Sequence, residues 1–179
     1  MRRRGVTFSL GWLVASLDRV ARASAPAALT ALLMVVATVP PDLPSAVPAF
    51  ALGSVLFWTL FRPAAMGPAV VFGVGLLQDL LTFSPLGVGL LTLLLAHGVA
   101  LRARAVLVRQ PFLLVWLAVG AISAGALTLG YGLNAALTWT LPPPEPALHL
   151  LALAVGLYPP LALLLTRLHR RLERAEAAA

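Results

Sequence analysis

The strongest constraint on this chain is that apolar residues run almost without relief from residue 25 to residue 168, broken only by short segments rich in proline or bearing arginine. A backbone in hydrocarbon has no water to bond to, so each stretch satisfies its own amides by winding into a helix. The mean hydropathy of +0.95 and a charged fraction of 11% lie far outside the range of ordinary soluble domains. The chain reads as an all-α polytopic membrane protein with one membrane domain, residues 25–168, and no soluble domain of useful size.

Turn signals and arginines divide this domain into six expected transmembrane helices, at about 25–39, 46–61, 66–81, 86–101, 111–132 and 147–166. The breaks are "PPDLPS", Arg62 with Pro63, "TFSP", Arg102 with Arg104, and "PPPEP". Several spans fall short of the roughly 20 apolar residues that cross a bilayer upright. A compact bundle with adapted lipid, or extensions at the interfaces, is expected. Residues 1–24 start like a secretory signal, but Asp18, Arg19 and Arg22 interrupt the apolar centre. Leu10, Leu13, Val14, Leu17 and Val20 instead fall at helical spacing, which predicts an amphipathic segment on the membrane surface. Residues 169–179 form a basic tail.

If the connections alternate between sides, every arginine falls on one side of the membrane. The opposite connections carry Asp42 and Glu145 and no basic residue. The positive-inside rule then makes both termini cytoplasmic, in a multi-pass protein of the cytoplasmic membrane. The same asymmetry accounts for the formal charge of +7 and the pI near 11.7: the bases face anionic lipid, and no nucleic-acid partner is implied. Trp58 and Trp139 lie near predicted span ends, where amphipathic rings favour the interface.

Chemistry is sparse. The absence of cysteine excludes disulfides, thiolate nucleophiles and sulfur-ligated metals. His97, His149 and His169 do not share a ligand-spaced helix face, and His97 reads as a neutral or snorkelling imidazole. No phosphate-binding glycine loop, Ser/His/Asp set or paired-carboxylate site is visible, so no catalytic, cofactor-binding or metal-ligating residue is assigned and no enzyme is expected. Asn134 and Thr138, one turn apart, suit interhelical hydrogen bonding.

One residue stands out. Asp79, in "GLLQDLLTFSPLG", places a carboxylate in an otherwise apolar run. An ionised Asp at a helix centre costs about 2.5 to 3.5 kcal/mol on insertion scales. Asp79, however, lies roughly 20 Å from Met66 along the helix, close to the outer end of span three. Ser84 and Pro85, just beyond it, have the character of an N-cap and first position for span four. A carboxylate there would meet unpaired amides and the positive end of a helix dipole. Asp79 is therefore expected to latch the hairpin of spans three and four, ahead of a partner or ligand contact and ahead of ion translocation. A latch should largely survive Asp79→Asn. Gln78 points about 100° away and is expected to make its own interhelical bond.

Small residues are placed for close helix packing: Gly120, Ala124, Thr128 and Gly132 on one face of span five, and Gly73, Gly75, Gly87 and Gly89 on spans three and four.

The runs "PPDLPSAVPAFALGSVLFWTLFRP", "FGVGLLQDLLTFSPLGVGLL" and "LYPPLALLLTRLHRRL" resemble the MreD family of bacterial rod-shape-determining membrane proteins. The likeness is carried by the opening of span two from Pro48 to Phe50, by Trp58, by the Gly-Leu-Leu-Gln-Asp-Leu-Leu motif with Leu86 and Gly87 after it, and by the Tyr158–Pro159 pair before a basic tail. The resemblance implies a non-enzymatic component of the cell-elongation (rod) complex that supports peptidoglycan synthesis. It would bind MreC and, through it, MreB, RodA and a class B penicillin-binding protein. It also implies a fold similar to the substrate-binding subunits of energy-coupling-factor transporters. The alternative is therefore a vitamin-type binding subunit of such a transporter. From the residues and the resemblance together, the structural or partner-interaction candidates are Asp79, Gln78, Gly73, Gly75, Gly87, Trp58, Pro48, Tyr158 and Pro159.

Overall fold

The computed structural model describes residues 24–39 and 46–177, with side chains as far as Arg167. Residues 1–23, residues 40–45 and the side chains of the basic tail lie outside the described residues, and so do the expectations placed on them.

Among the described residues there are six α-helices and no strand. They are α1 (Ser24–Val36), α2 (Ala46–Phe61), α3 (Pro68–Thr82), α4 (Val88–Leu107), α5 (Phe112–Thr138) and α6 (Glu145–Ala177). A short 3-10 turn, Pro63–Ala65, joins α2 to α3. Val88–Leu107, Phe112–Thr138 and Glu145–Arg167 are long and apolar enough to cross a membrane; α1, α2 and α3 are shorter apolar helices.

Helices α3, α4, α5 and α6 pack in chain order, each against the next, while α2 packs mainly on α6 and α4 and also on α3. Every residue of α2 is buried except Pro48, Phe50 and Phe61. Burial on every side, with contacts to α3, α4 and α6, makes α2 the core around which the bundle closes. Met34 and Ala37 from the α1 region, Val71 and Val74 of α3, Leu93 and Ala96 of α4, Val115 and Val119 of α5, and Tyr158, Leu161 and Leu165 of α6 complete the core.

Two boundaries differ from expectation for one reason. Arg102 and Arg104 mark the expected end of span four, yet α4 continues through them to Leu107. The sixth helix likewise continues from residue 167 into the basic tail. Arginine and alanine are strong helix formers, so an arginine that marks a polar boundary does not stop the helix. Helix α5 runs on to Thr138 and ends where Trp139 takes a left-handed conformation, φ 53°.

Trp58 is a correction. Expected at the interface, it is fully buried near the end of α2, edge-on to Phe57 with ring centroids 5.3 Å apart at 84°. Because α2 is central, its end is covered by neighbouring helices. Trp139 is 93% exposed.

The prolines of α6 create a local need. Pro159 and Pro160 sit inside the helix, and a proline has no N–H for the carbonyl four residues earlier. The Val155 carbonyl, deprived by Pro159, accepts the indole N–H of Trp116 on α5 at 2.9 Å.

Candidate functional site: the Asp79 cap and the cavity beside it

Helix α3 ends at Phe83, left-handed at φ 51°. The chain turns through Ser84 and Pro85, and α4 starts after an N-cap glycine, Gly87, at φ 102°. Ser84 and Pro85 are thus part of the turn and not the cap, which corrects the expectation. A left-handed N-cap without a side chain cannot bond its own first-turn amides. Asp79 does so from the neighbouring helix. It is 1% exposed; its Oδ2 accepts the Gly87 N–H and its Oδ1 the Gly89 N–H, each at 2.7 Å. The Leu90 N–H and the Ser84 hydroxyl approach more loosely, each at 3.4 Å. Ser84 is held in turn by Thr82, 2.8 Å away between hydroxyl oxygens. Both carboxylate oxygens act as acceptors at the positive end of the α4 dipole, where negative charge is stabilised.

The glycines around this cap separate into different roles. A Cβ on Gly89 would collide with the Asp79 carboxylate and the Gln78 amide, and one on Gly75 would lie 2.6 Å from the Leu90 Cα, so α3 and α4 meet backbone to backbone at Gly75, while at Gly89 two α3 side chains lie directly on the α4 backbone. Gly73 is otherwise: it faces outward, and a Cβ added to it would meet nothing within 4 Å. It does not share the packing face of Gly75. The small-residue face expected on span five also shifts. The buried face of α5 is Val115, Val119, Ser123 and Ala126; Gly120 makes ordinary contact with Val155, and Gly132 meets nothing.

Gln78 is buried beside Asp79, and its Oε1 has no hydrogen-bond partner. It lines a cavity of about 290 Å³ between α3, α4, α5 and the α5–α6 turn. Pro48, Thr82, Ser84, Gly89, Thr92, Gly130, Tyr131, Asn134 and Pro142 are among the other lining residues. Tyr131 donates its hydroxyl to the Pro142 carbonyl at 2.6 Å and ties down the α5–α6 turn at the rim. Pro48, singled out in the sequence, enters here as a wall residue. Asn134 lines the same cavity, while Thr138 bonds back to the Asn134 carbonyl at 2.8 Å within α5. That bond is intrahelical, where an interhelical one was expected.

Two polar pairs join helices distant in the chain. His97 does not snorkel: it is buried, its Nδ1 2.8 Å from the Thr59 hydroxyl of α2. Thr59 gives its own proton to the Val55 carbonyl at 2.6 Å, so His97 donates from Nδ1 and its Nε2 is left without a partner. Arg104 Nε donates to the Leu60 carbonyl at 2.7 Å, bracing the last turn of α2 from α4. Neither pair has a sequence signature, because the partners are 38 and 44 residues apart. Tyr158, buried in the core, lies far from this cavity, on the half of α6 that leads to Arg167.

Among the described residues no three His, Cys, Asp or Glu side chains come together as a metal site. Asp79, next to the cavity residue Gln78 in α3, has both oxygens engaged by backbone amides. What the arrangement offers chemically is a rigid helical corner and, beside it, a concave surface with one free amide oxygen.

Compared with known proteins, residues 21–168 match the family described as rod shape-determining protein MreD. No curated protein and no solved structure gives a significant match.

Proposed function

The chain belongs to the MreD family of rod shape-determining membrane proteins, and from that premise we propose that it serves the bacterial cell-elongation complex as a non-enzymatic scaffold. It binds MreC directly and reaches MreB, RodA and a class B penicillin-binding protein through that complex. The family match over most of the chain carries this reading. The use of the buried carboxylate as a structural cap supports it: the group best suited to proton or ion handling already has both oxygens bonded.

In this reading all six helices are membrane-embedded, in a bundle similar to the substrate-binding subunits of energy-coupling-factor transporters. Helix α2 is surrounded by protein, so its length need not match the hydrocarbon thickness. The protein lies in the cytoplasmic membrane with both termini inside. The placement of Arg62, Arg102, Arg104, Arg109 and Arg167 at one end of the bundle, with Asp79 and Glu145 at the other, supports that orientation.

A second reading has its own observation. The cavity of about 290 Å³ with the free Gln78 oxygen would suit a small molecule carrying a hydrogen-bond donor, as in a vitamin-binding subunit. Mild-detergent co-purification from native membranes, with partners identified by mass spectrometry, decides between the two. Recovery of MreC and the cell-wall synthases supports the scaffold; recovery of paired ATPases with a coupling protein overturns it.

A further inference from the structure

At the arginine-bearing end of the bundle, opposite the Asp79 cap, a groove of about 210 Å³ opens between α2, the α4–α5 turn, the start of α5 and the second half of α6. Its floor is apolar and buried at Phe57, Val115 and Tyr158, and the exposed rings of Phe61 and Phe112 flank it. Its mouth is polar. Gln110 and Thr166 line it, and the residues next to them in the chain, Arg109 and Arg167, are both exposed. Among the described side chains the two carboxylates, Asp79 and Glu145, lie at the other end of the bundle. Helix α5 starts at the same mouth without a side-chain cap, which adds the positive end of a helix dipole to the field of the arginines.

We propose that this groove binds one anionic diacyl phospholipid, with an acyl chain against Phe57, Val115 and Tyr158 and the phosphate held by Arg109 and Arg167. The two halves of the site select for the two halves of the ligand. An apolar floor rejects a free hydrated anion, and guanidinium groups favour the planar, bidentate recognition that a phosphate permits. A zwitterionic lipid is disfavoured, because its cationic group would sit among guanidinium groups and at the positive end of a helix dipole. The bound lipid would wedge between α2, α5 and α6 and set the spacing of those helices.

Native mass spectrometry of the delipidated full-length protein tests this, with phosphatidylglycerol, phosphatidylcholine and soluble glycerol phosphate as probes. The expected result is retention of one phosphatidylglycerol at least fivefold over phosphatidylcholine, with no competition from glycerol phosphate. The double variant Arg109→Gln/Arg167→Gln should abolish the preference. Thr166→Trp, which fills the mouth and leaves both arginines, should cut retention of phosphatidylglycerol severalfold. Arg102→Gln, an exposed arginine of α4 that does not flank the groove, should change nothing. If the double variant does not fold, each single arginine variant should still lower retention at least twofold. Equal retention of the two lipids, undiminished binding by the arginine variants or by Thr166→Trp, or displacement by glycerol phosphate would each overturn the proposal.

Discussion

Asp79 and Gly89 meet across the α3–α4 corner: the carboxylate Oδ1 accepts the glycine N–H at 2.7 Å, and a methyl group on the glycine would occupy the space of that carboxylate. The contact supplies from one helix the cap that the next cannot supply for itself, since the N-cap Gly87 has no side chain to offer. Bond and close approach depend on each other, so the corner is held as a unit.

Substitution of Asp79 should therefore be graded. Asp79→Ala strands the buried Gly89 N–H and the part-buried Gly87 N–H and should cost roughly 2–6 kcal/mol, at about 1–3 for each unsatisfied donor. Asp79→Asn keeps one acceptor but turns an NH₂ toward the second N–H, so it should lose about half as much. This revises the expectation from spacing that Asn would be nearly neutral. Thermal unfolding in detergent, followed by circular dichroism, ranks the three proteins; a wild-type Tm for Asp79→Asn would mean that the two oxygens are not both needed.

Gly75→Ala and Gly73→Ala should differ sharply although the residues are two apart. The first must push the α4 backbone away at Leu90 and should cost about 1–3 kcal/mol as an overpacked contact. The second points into open space and should cost nothing, with a gain of up to about 1 kcal/mol from helix propensity. A partner that docks on the outer face of α3 would be sensed in the opposite order, through lower partner recovery for a bulky residue at position 73 with stability unchanged.

Trp116 and Pro159 should be energetically coupled. Trp116→Phe leaves the Val155 carbonyl unpaired and should lower stability by about 1–3 kcal/mol. In a Pro159→Ala background the residue at 159 has an N–H of its own for that carbonyl, and the same tryptophan substitution should cost markedly less. A double-mutant cycle with no coupling would show that the indole bond does not compensate for the proline.

Arg104 and Arg102 are both arginines of α4 and should behave differently. Arg104→Ala removes the donor from the Leu60 carbonyl and should cost about 1–2 kcal/mol, with partial rescue by Lys. Arg102 is exposed, and its replacement should stay within about 0.5 kcal/mol. Equal melting temperatures for the two variants would refute the bracing role of Arg104.

Parts of the site were legible in the residues. A carboxylate in an apolar run is costly unless paired, and its distance from the next helix start pointed to the amides it binds. Its partner geometry was not legible: the cap falls at Gly87, because the turn needs a left-handed residue there, and not at Ser84. The cavity beside Gln78 has no sequence signature, since its walls come from Pro48, Thr92, Tyr131 and Pro142, far apart in the chain.

The sequence by itself determined the solvent of this protein, its helical class and the segregation of its charges, because each of these depends on composition along one stretch at a time. Which faces turn inward was decided by the tertiary structure alone. In a soluble helix the buried side is marked by its contrast with a polar side. Lipid is as apolar as a protein core, so that contrast vanishes, and small residues permit packing without choosing a partner. Hence α2 became the core, Gly75 became a contact and Gly73 did not, for reasons that exist only once the helices are assembled.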